Sequence, residues 1–546
     1  MAGLKATRQE QKLETLPPPI GGINARDGIS IMPPTDAVNL VNWIPDTFGV
    51  RSRKGYREWA INFPENEVVQ SILTWLGQDT PLPGDTFLSQ PTSMPGKLWA
   101  CTQGGIYDIT DTTDSPASAV TLSGADMAGM FSTATVSNIA GTFLCAVSET
   151  DGYYTFDGTT WLKRMAGAGA GQISGVDPDL FCFVMQWKRR LWFVERDSTR
   201  AWYLNVDELA GTATEFDFGA QFKRGGFISY IANWTIDAGE GVDDFMVIVS
   251  SNGEVLVYKG TDPDTAEKFN FVGSFFIGQV PVGRRAFVQY GGDLVLLSAN
   301  GIYPMSFITR GGAQLLQATG QEYSSMIRSP MGQDLRNSFT INGWTMMLHP
   351  SERLLIVGVP DYGGQRAKQF VMSTTQNKWT TFSDIPALCY GESLGYAFAG
   401  TTDGRVILLF NDFFDNVAFG EQVGTGIRGV VQPAFSFFKA PALEKQFLMV
   451  RPNFLAIDQP SYRIGMSVNF SLLPPEGDPT QGESAVSLWD VDAWDAAKWG
   501  GGLQSYAQWT SVGGIGFSGA AGLVTICIAE TLLVSLDYMY ATGGPM

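Results

Sequence analysis

The chain has 546 residues, of which 44% are apolar and 16% charged, and a formal charge of −18. That length exceeds one ordinary hydrophobic core, so two or three folding units are expected, and the composition excludes a disordered polyelectrolyte. The first 60 residues hold eight basic and six acidic side chains, which leaves the remainder strongly acidic; such a body argues against tight nucleic-acid binding, although a duplex can slide past it with the repulsion screened beyond about 8 Å.

Met1 to Leu16 is polar and mixed in charge, without the apolar core of a signal peptide, and residues 1–15 are expected to form a flexible tail. No stretch approaches the roughly 18 apolar residues of a membrane helix, so neither a membrane span nor export is expected. An N-terminal segment, residues 16–65, opens on Pro17, Pro18 and Pro19. Within it "PPTDAVNLVNW" predicts a short helix over Thr35 to Trp43, with Thr35 or Asp36 as N-cap after the proline pair.

From residue 66 to 419 the chain reads as strands, in apolar runs of four to seven residues broken by turn clusters. A hairpin recurs, with an apolar strand, a Gly or Asp turn and a strand rich in Tyr, Val and Ile. Its seven copies start at Leu98, Phe143, Leu191, Phe245, Leu294, Leu354 and Gly395, 41 to 60 residues apart. A period near 50 suits a four-stranded propeller blade, which cannot bury both faces alone and does so by packing radially. The fold class expected is therefore all-β, a β-propeller of six to eight blades, about seven. Val68 to Gly77 is available as the strand that closes the ring, and a series of unrelated sandwich hairpins is the competing reading. Residues 420–546 look like a separate β-domain, with strands in Val430 to Ile457 and Gly522 to Tyr540 around a loop over Leu472 to Glu483. The N-terminal segment is expected to join it in a platform.

The five cysteines, Cys101, Cys145, Cys182, Cys389 and Cys527, lie in apolar contexts with no metal or disulfide spacing, which predicts buried free thiols and synthesis in a reducing cytoplasm. His349 is the one histidine, expected at a turn or strand end, and no nucleophile or phosphate-loop signature accompanies it. No catalytic residue, cofactor or metal is expected. The densest acidic stretch, Asp237, Glu240, Asp243 and Asp244, followed by Asp262, Asp264 and Glu267, reads as a solvated loop or an acidic lumen, with a cation site and carboxylate catalysis as further readings. "FDGTTW" (Phe156 to Trp161) does not match the sialidase turn, because Asp157 and Gly158 are adjacent. Trp489, Trp494 and Trp499 recur every five residues, a period of neither helix nor strand. They read either as a loop packed on the C-terminal domain or as anchors at a subunit contact.

Several segments together resemble one family. "LPPPIGGINARDGISIMPPTDAVNLVNWIPDTFGVRSRKGY" (Leu16 to Tyr56), Phe222 to Asp264, Phe275 to Ser306, the tryptophan-aspartate repeat and the ending "LDYMYATGGPM" are similar to the nozzle proteins of podovirus tails, the tail tubular protein B-like family. The likeness covers nearly the whole chain and is weakest between about residues 310 and 430. It implies a non-enzymatic virion component made in the host bacterial cytoplasm, a homo-oligomeric and six-fold ring below an adaptor, with tail fibres docking near that junction. Double-stranded DNA would pass without sequence-specific binding and be retained until ejection. The platform near the adaptor would draw on the terminal segments, so Arg26, Asp27, Arg51, Arg53 and Lys54 are the expected subunit or adaptor contacts. A propeller glycosidase or receptor-binding lectin of a phage tail is the alternative.

Overall fold

The computed structural model describes residues 11–77, 91–237, 242–265, 267–310, 322–361, 368–482 and 502–543. Strands dominate, and the chain divides into two compact units, one of residues 1–57, 369–385 and 410–546, the other of residues 58–368 and 386–409.

The second unit is a β-propeller. Six sheets follow one another as blades, with inner strands Ser71–Trp75, Phe131–Asn138, Phe181–Trp187, Ile228–Asp237, Phe287–Tyr290 and Ala387–Ser393. Four are four-stranded antiparallel meanders, the last takes its fourth strand from elsewhere in the chain, and the blade of Phe287–Tyr290 has three strands among the described residues. A further hairpin, Thr345–His349 with Leu354–Val359, lies between that blade and the last one, its first strand touching the inner strand on either side. Five of the repeated hairpins of the sequence fall on the central strands of the four-stranded blades, as at Lys97–Cys101 with Gly105–Asp108 and Val242–Ser250 with Glu254–Gly260.

Neighbouring inner strands pack side by side around the ring, so each blade is covered on both faces and its strands read as unbroken apolar runs rather than alternating ones. In "SILTW", Ile72 enters the core shared with the last blade, beside Trp59, Leu98, Phe398 and Leu408, while Leu73 enters the core shared with the second blade, beside Trp99, Phe131 and Phe156. Glycine sets the spacing at the first junction. A Cβ on Gly391 would lie 2.5 Å from Ile72 Cγ2, and one on Gly400 2.5 Å from Val69 Cγ1.

Three expectations need correction. Ser71–Trp75, within Val68 to Gly77, opens the first blade; the strand that closes the ring is Gly55–Ala60, the fourth strand of the last blade. Trp59 secures it, donating from Nε1 to the Ile109 carbonyl at 2.7 Å and meeting Phe398 edge-on at 5.1 Å. The predicted helix over Thr35 to Trp43 is instead the strands Asp36–Val41 and Trp43–Pro45, because pairing with Thr425–Pro433 outweighs a weak local capping signal. A helix unforeseen in the sequence, Arg328–Ser338, stands beside Gly301–Pro304, the last strand of the three-stranded blade. Its Pro330 and Gly332 disguise it, and Met331, Asp334, Leu335 and Ser338 form its buried face.

The first unit draws on both ends of the chain. Thr531–Thr542 pairs with Lys445–Ala456, with Val50–Ser52 and with Gln11–Leu16. Residues 11–15 are therefore not a loose tail, since Gln11 stands opposite Ala541 and Leu16 opposite Leu536. A second sheet runs Lys378–Ser383, Asp36–Val41, Thr425–Pro433, Gly519–Cys527 and Ser461–Val468. The unit's boundaries thus shift from 65 and 420 to 57 and 410, and it takes in residues 369–385 as well.

Candidate functional site

The inner strands of the blades line the propeller channel. A cavity of about 400 Å³ occupies the channel, bordered by Ile72, Phe131, Phe183, Phe287, Met346 and Tyr390 from six different strands. Arg284 and Arg285, just before Phe287–Tyr290, also border it, as do Glu149 and Glu392.

The two adjacent arginines are held differently. Arg284 makes a two-pronged ion pair with Glu149, at 2.6 and 2.8 Å, and donates to the carbonyls of Ile228 and Ser229. Burial opposes its charge, yet the Glu149 carboxylate and the neighbouring acidic field hold its pKa above the ordinary value. Arg285 meets only neutral groups: it donates to the carbonyls of Gln70, at 2.8 Å, and Phe131, at 3.2 Å, and to Ser71 Oγ. Those partners belong to the first and second blades, which are not neighbours of its own, so the guanidinium bridges the channel. A passage that one side chain spans is too narrow for a duplex. On the strand Ala387–Ser393, Glu392 opens into the same cavity, and loss of water holds its carboxyl above the usual carboxylate range.

Nucleophiles are withdrawn from chemistry. All five cysteines are free and buried, and burial pushes the thiols of Cys145 and Cys182 up to about 12 and those of Cys389 and Cys527 up to about 11. His349 is the buried last residue of Thr345–His349. Asp157, in the turn unlike that of sialidases, accepts hydrogen bonds from the backbone N–H groups of Thr160 and Thr159, which bring it down to about 2. It closes the turn before Trp161–Lys163. Among the described residues no group of three His, Cys, Asp or Glu side chains could hold a metal ion, and no helix is long and apolar enough to cross a membrane.

The residues singled out in the sequence are scattered. Arg53 is fully buried and cannot serve as a subunit or adaptor contact. Its guanidinium pairs with Asp415 at 2.7 and 2.6 Å and donates to Asn42 Oδ1 and the carbonyls of Lys54 and Ser383, joining three stretches of the first unit. Arg51 and Lys54, on either side, are half-buried. Arg26 binds its neighbour Asp27, and that contact, with Asn24, lowers the Asp27 carboxyl to about 2. Asp244 pairs with Lys188, which lowers its pKa, and takes a bond from Thr235; Asp262 pairs with Arg190 and Lys268, and Asp264 takes a bond from the Tyr203 hydroxyl. Asp237 and Asp243 sit in the hairpin opposite Val242 and Ile236. Asp244, Asp262 and Asp264 do not border the channel cavity. Glu240, Trp489, Trp494 and Trp499 lie outside the described residues. The channel residues were missed in the sequence, although an Arg–Arg pair opening an apolar strand, "GRRAFVQY", is conspicuous in so acidic a chain.

No family model and no curated protein matches the chain. Solved structures similar to it include the computationally designed Ika8 protein, at 10% identity over 65% of this chain and 99% of that one, with a TM-score of 0.35. Sqt1 of Saccharomyces cerevisiae is similar at 14% identity over 70% and 96%, with a TM-score of 0.38. The β-propeller domain of Cps50 (Swd1) from Myceliophteria thermophila is similar at 10% identity over 63% and 99%, with a TM-score of 0.36.

Proposed function

We propose that this chain is a structural subunit of a short-tailed bacteriophage virion, a nozzle that forms the distal tail tube as a ring below the adaptor and retains DNA until ejection. The observation that carries the reading is where the family-like segments lie. Gln11–Leu16 and Val50–Ser52, at the edges of the Leu16 to Tyr56 likeness, both pair with Thr531–Thr542, which holds the start of the "LDYMYATGGPM" likeness. Two distant stretches with the same resemblance therefore build one unit. The bridged propeller channel is consistent with a lumen lying between copies of the chain, and the acidic balance is consistent with DNA passing without being held. Of the expected contacts, Arg26 is exposed and Asp27, Arg51 and Lys54 are half-buried, so each keeps some surface toward solvent.

Imaging the protein mixed with a portal–adaptor complex tests this. An added closed ring with a duplex-wide pore is expected, and reversing the charge of Arg51 should weaken its assembly. A complex that gains no density overturns the reading. A propeller glycosidase or lectin is the second reading, favoured by the convergence of Glu149, Glu392 and two arginines on the channel. Its mark would be saccharide turnover or binding by the purified protein.

A further inference from the structure

Two charged groups in the channel cavity lack a partner of opposite sign. Among the described residues no carboxylate lies within ion-pair distance of Arg285, which donates to two carbonyls and a hydroxyl. The contrast with Arg284, one residue away and matched by Glu149, is sharp. In a chain with 54 acidic and 36 basic side chains, a cation in a water-poor channel without a counter-charge is the exception. Neutral acceptors compensate a guanidinium less well than a carboxylate does, so the site favours an incoming anion. Glu392 opens into the same cavity and, among the described residues, forms no ion pair. Phe131, Phe183, Phe287, Met346 and Leu348 supply the apolar part of the wall, which Ser132, Thr133 and Thr345 interrupt.

We propose that the propeller channel binds a small amphipathic molecule with a carboxylate at one end, a hydrogen-bond donor at the other and an apolar body between them. Arg285 takes the carboxylate, Glu392 accepts from the donor and the ring of apolar side chains encloses the body. The volume, about 400 Å³, lies in the range of small-molecule sites, where a few polar groups orient a ligand held mostly by apolar contact. The inference does not depend on the virion reading, since a channel closed to DNA is equally available whether or not the chain forms a ring.

Saturation-transfer NMR on the full-length protein with 4-hydroxyphenylacetate as probe, and with phenylacetate and tyramine as single-ended controls, tests it. Wild-type protein is expected to bind 4-hydroxyphenylacetate at millimolar or lower concentration and more tightly than either control. Removing one charge-assisted hydrogen bond costs about tenfold or more in affinity, so Arg285→Gln should lose binding to that extent and Arg285→Lys should keep part of it. Glu392→Gln should erase the advantage over phenylacetate. Because Arg285 also links blades, Met346→Trp, which leaves both polar groups in place and fills the cavity, should abolish binding as well. Absence of transfer to the wild-type protein, or undiminished binding by a folded Arg285→Gln or Met346→Trp variant, overturns the proposal.

Discussion

Arg53 shows how one side chain can organise a unit. Its N–H groups are engaged by Asp415, Asn42, Ser383 and the Lys54 carbonyl, so residues far apart in the chain meet on one planar cation. Burial raises the pKa of Asp415 and the guanidinium pulls it back, which marks the pair as one held together by geometry rather than by exposure. Removing one partner leaves an unmatched buried charge. Arg53→Met alone should cost about 3–5 kcal/mol, and combining it with Asp415→Leu should recover most of it. Chemical unfolding of the four members of this double-mutant cycle would measure both, and a single-variant cost below about 1 kcal/mol would count against the account. Glu392 gives a second prediction at this scale. Its folded pKa lies above the ordinary 4.5, so the folded state holds its proton longer than the unfolded chain does. That contribution is present below the unfolded pKa and lost as pH rises through the folded one. Melting temperature against pH should fall across that window in the wild type and fall less in Glu392→Gln; identical profiles would show that the carboxyl does not titrate differently on folding.

At the scale of the element, the closing strand Gly55–Ala60 decides whether the propeller is a ring or an open stack. Its neighbours in the last blade are distant in sequence, so its docking must offset the entropy of closing a long loop. Trp59 supplies the attachment, through full burial, the Ile109 hydrogen bond and the edge-on contact with Phe398. Trp59→Ala should cost about 3–5 kcal/mol, and amides of Tyr396–Thr401 should lose hydrogen-exchange protection before those of Phe181–Trp187. Ile139→Ala, at an exposed turn, is the control and should change stability by less than about 0.5 kcal/mol. Equal loss of protection in all blades would mean that the strand closes no ring. The helix Arg328–Ser338 stands beside Gly301–Pro304, the last described strand of its blade, where exposed backbone groups would otherwise invite pairing.

Over the whole molecule, the division of labour follows the charge. The acidic stretches near Asp244 and Asp262 are met by Lys188, Arg190 and Lys268, and the channel is bridged by Arg285. Much of this was legible in the amino-acid order. Apolar runs with a hairpin period near 50 residues require blades, because a strand buried on both faces needs an unbroken apolar face on each side; Leu98 to Asp108 and Phe245 to Gly260 are such copies. Burial of the cysteines was equally local, since their neighbours are all strand-forming and apolar. The sequence by itself therefore determined the strand content, the repeat and the withdrawal of thiol chemistry. Only the tertiary structure decided that Gly55–Ala60 closes the ring, that Asp36–Val41 is strand, that Arg53 is an internal staple and that Arg285 crosses the channel. Each of these depends on a partner hundreds of residues away, and no local period or cap reports the position of such a partner.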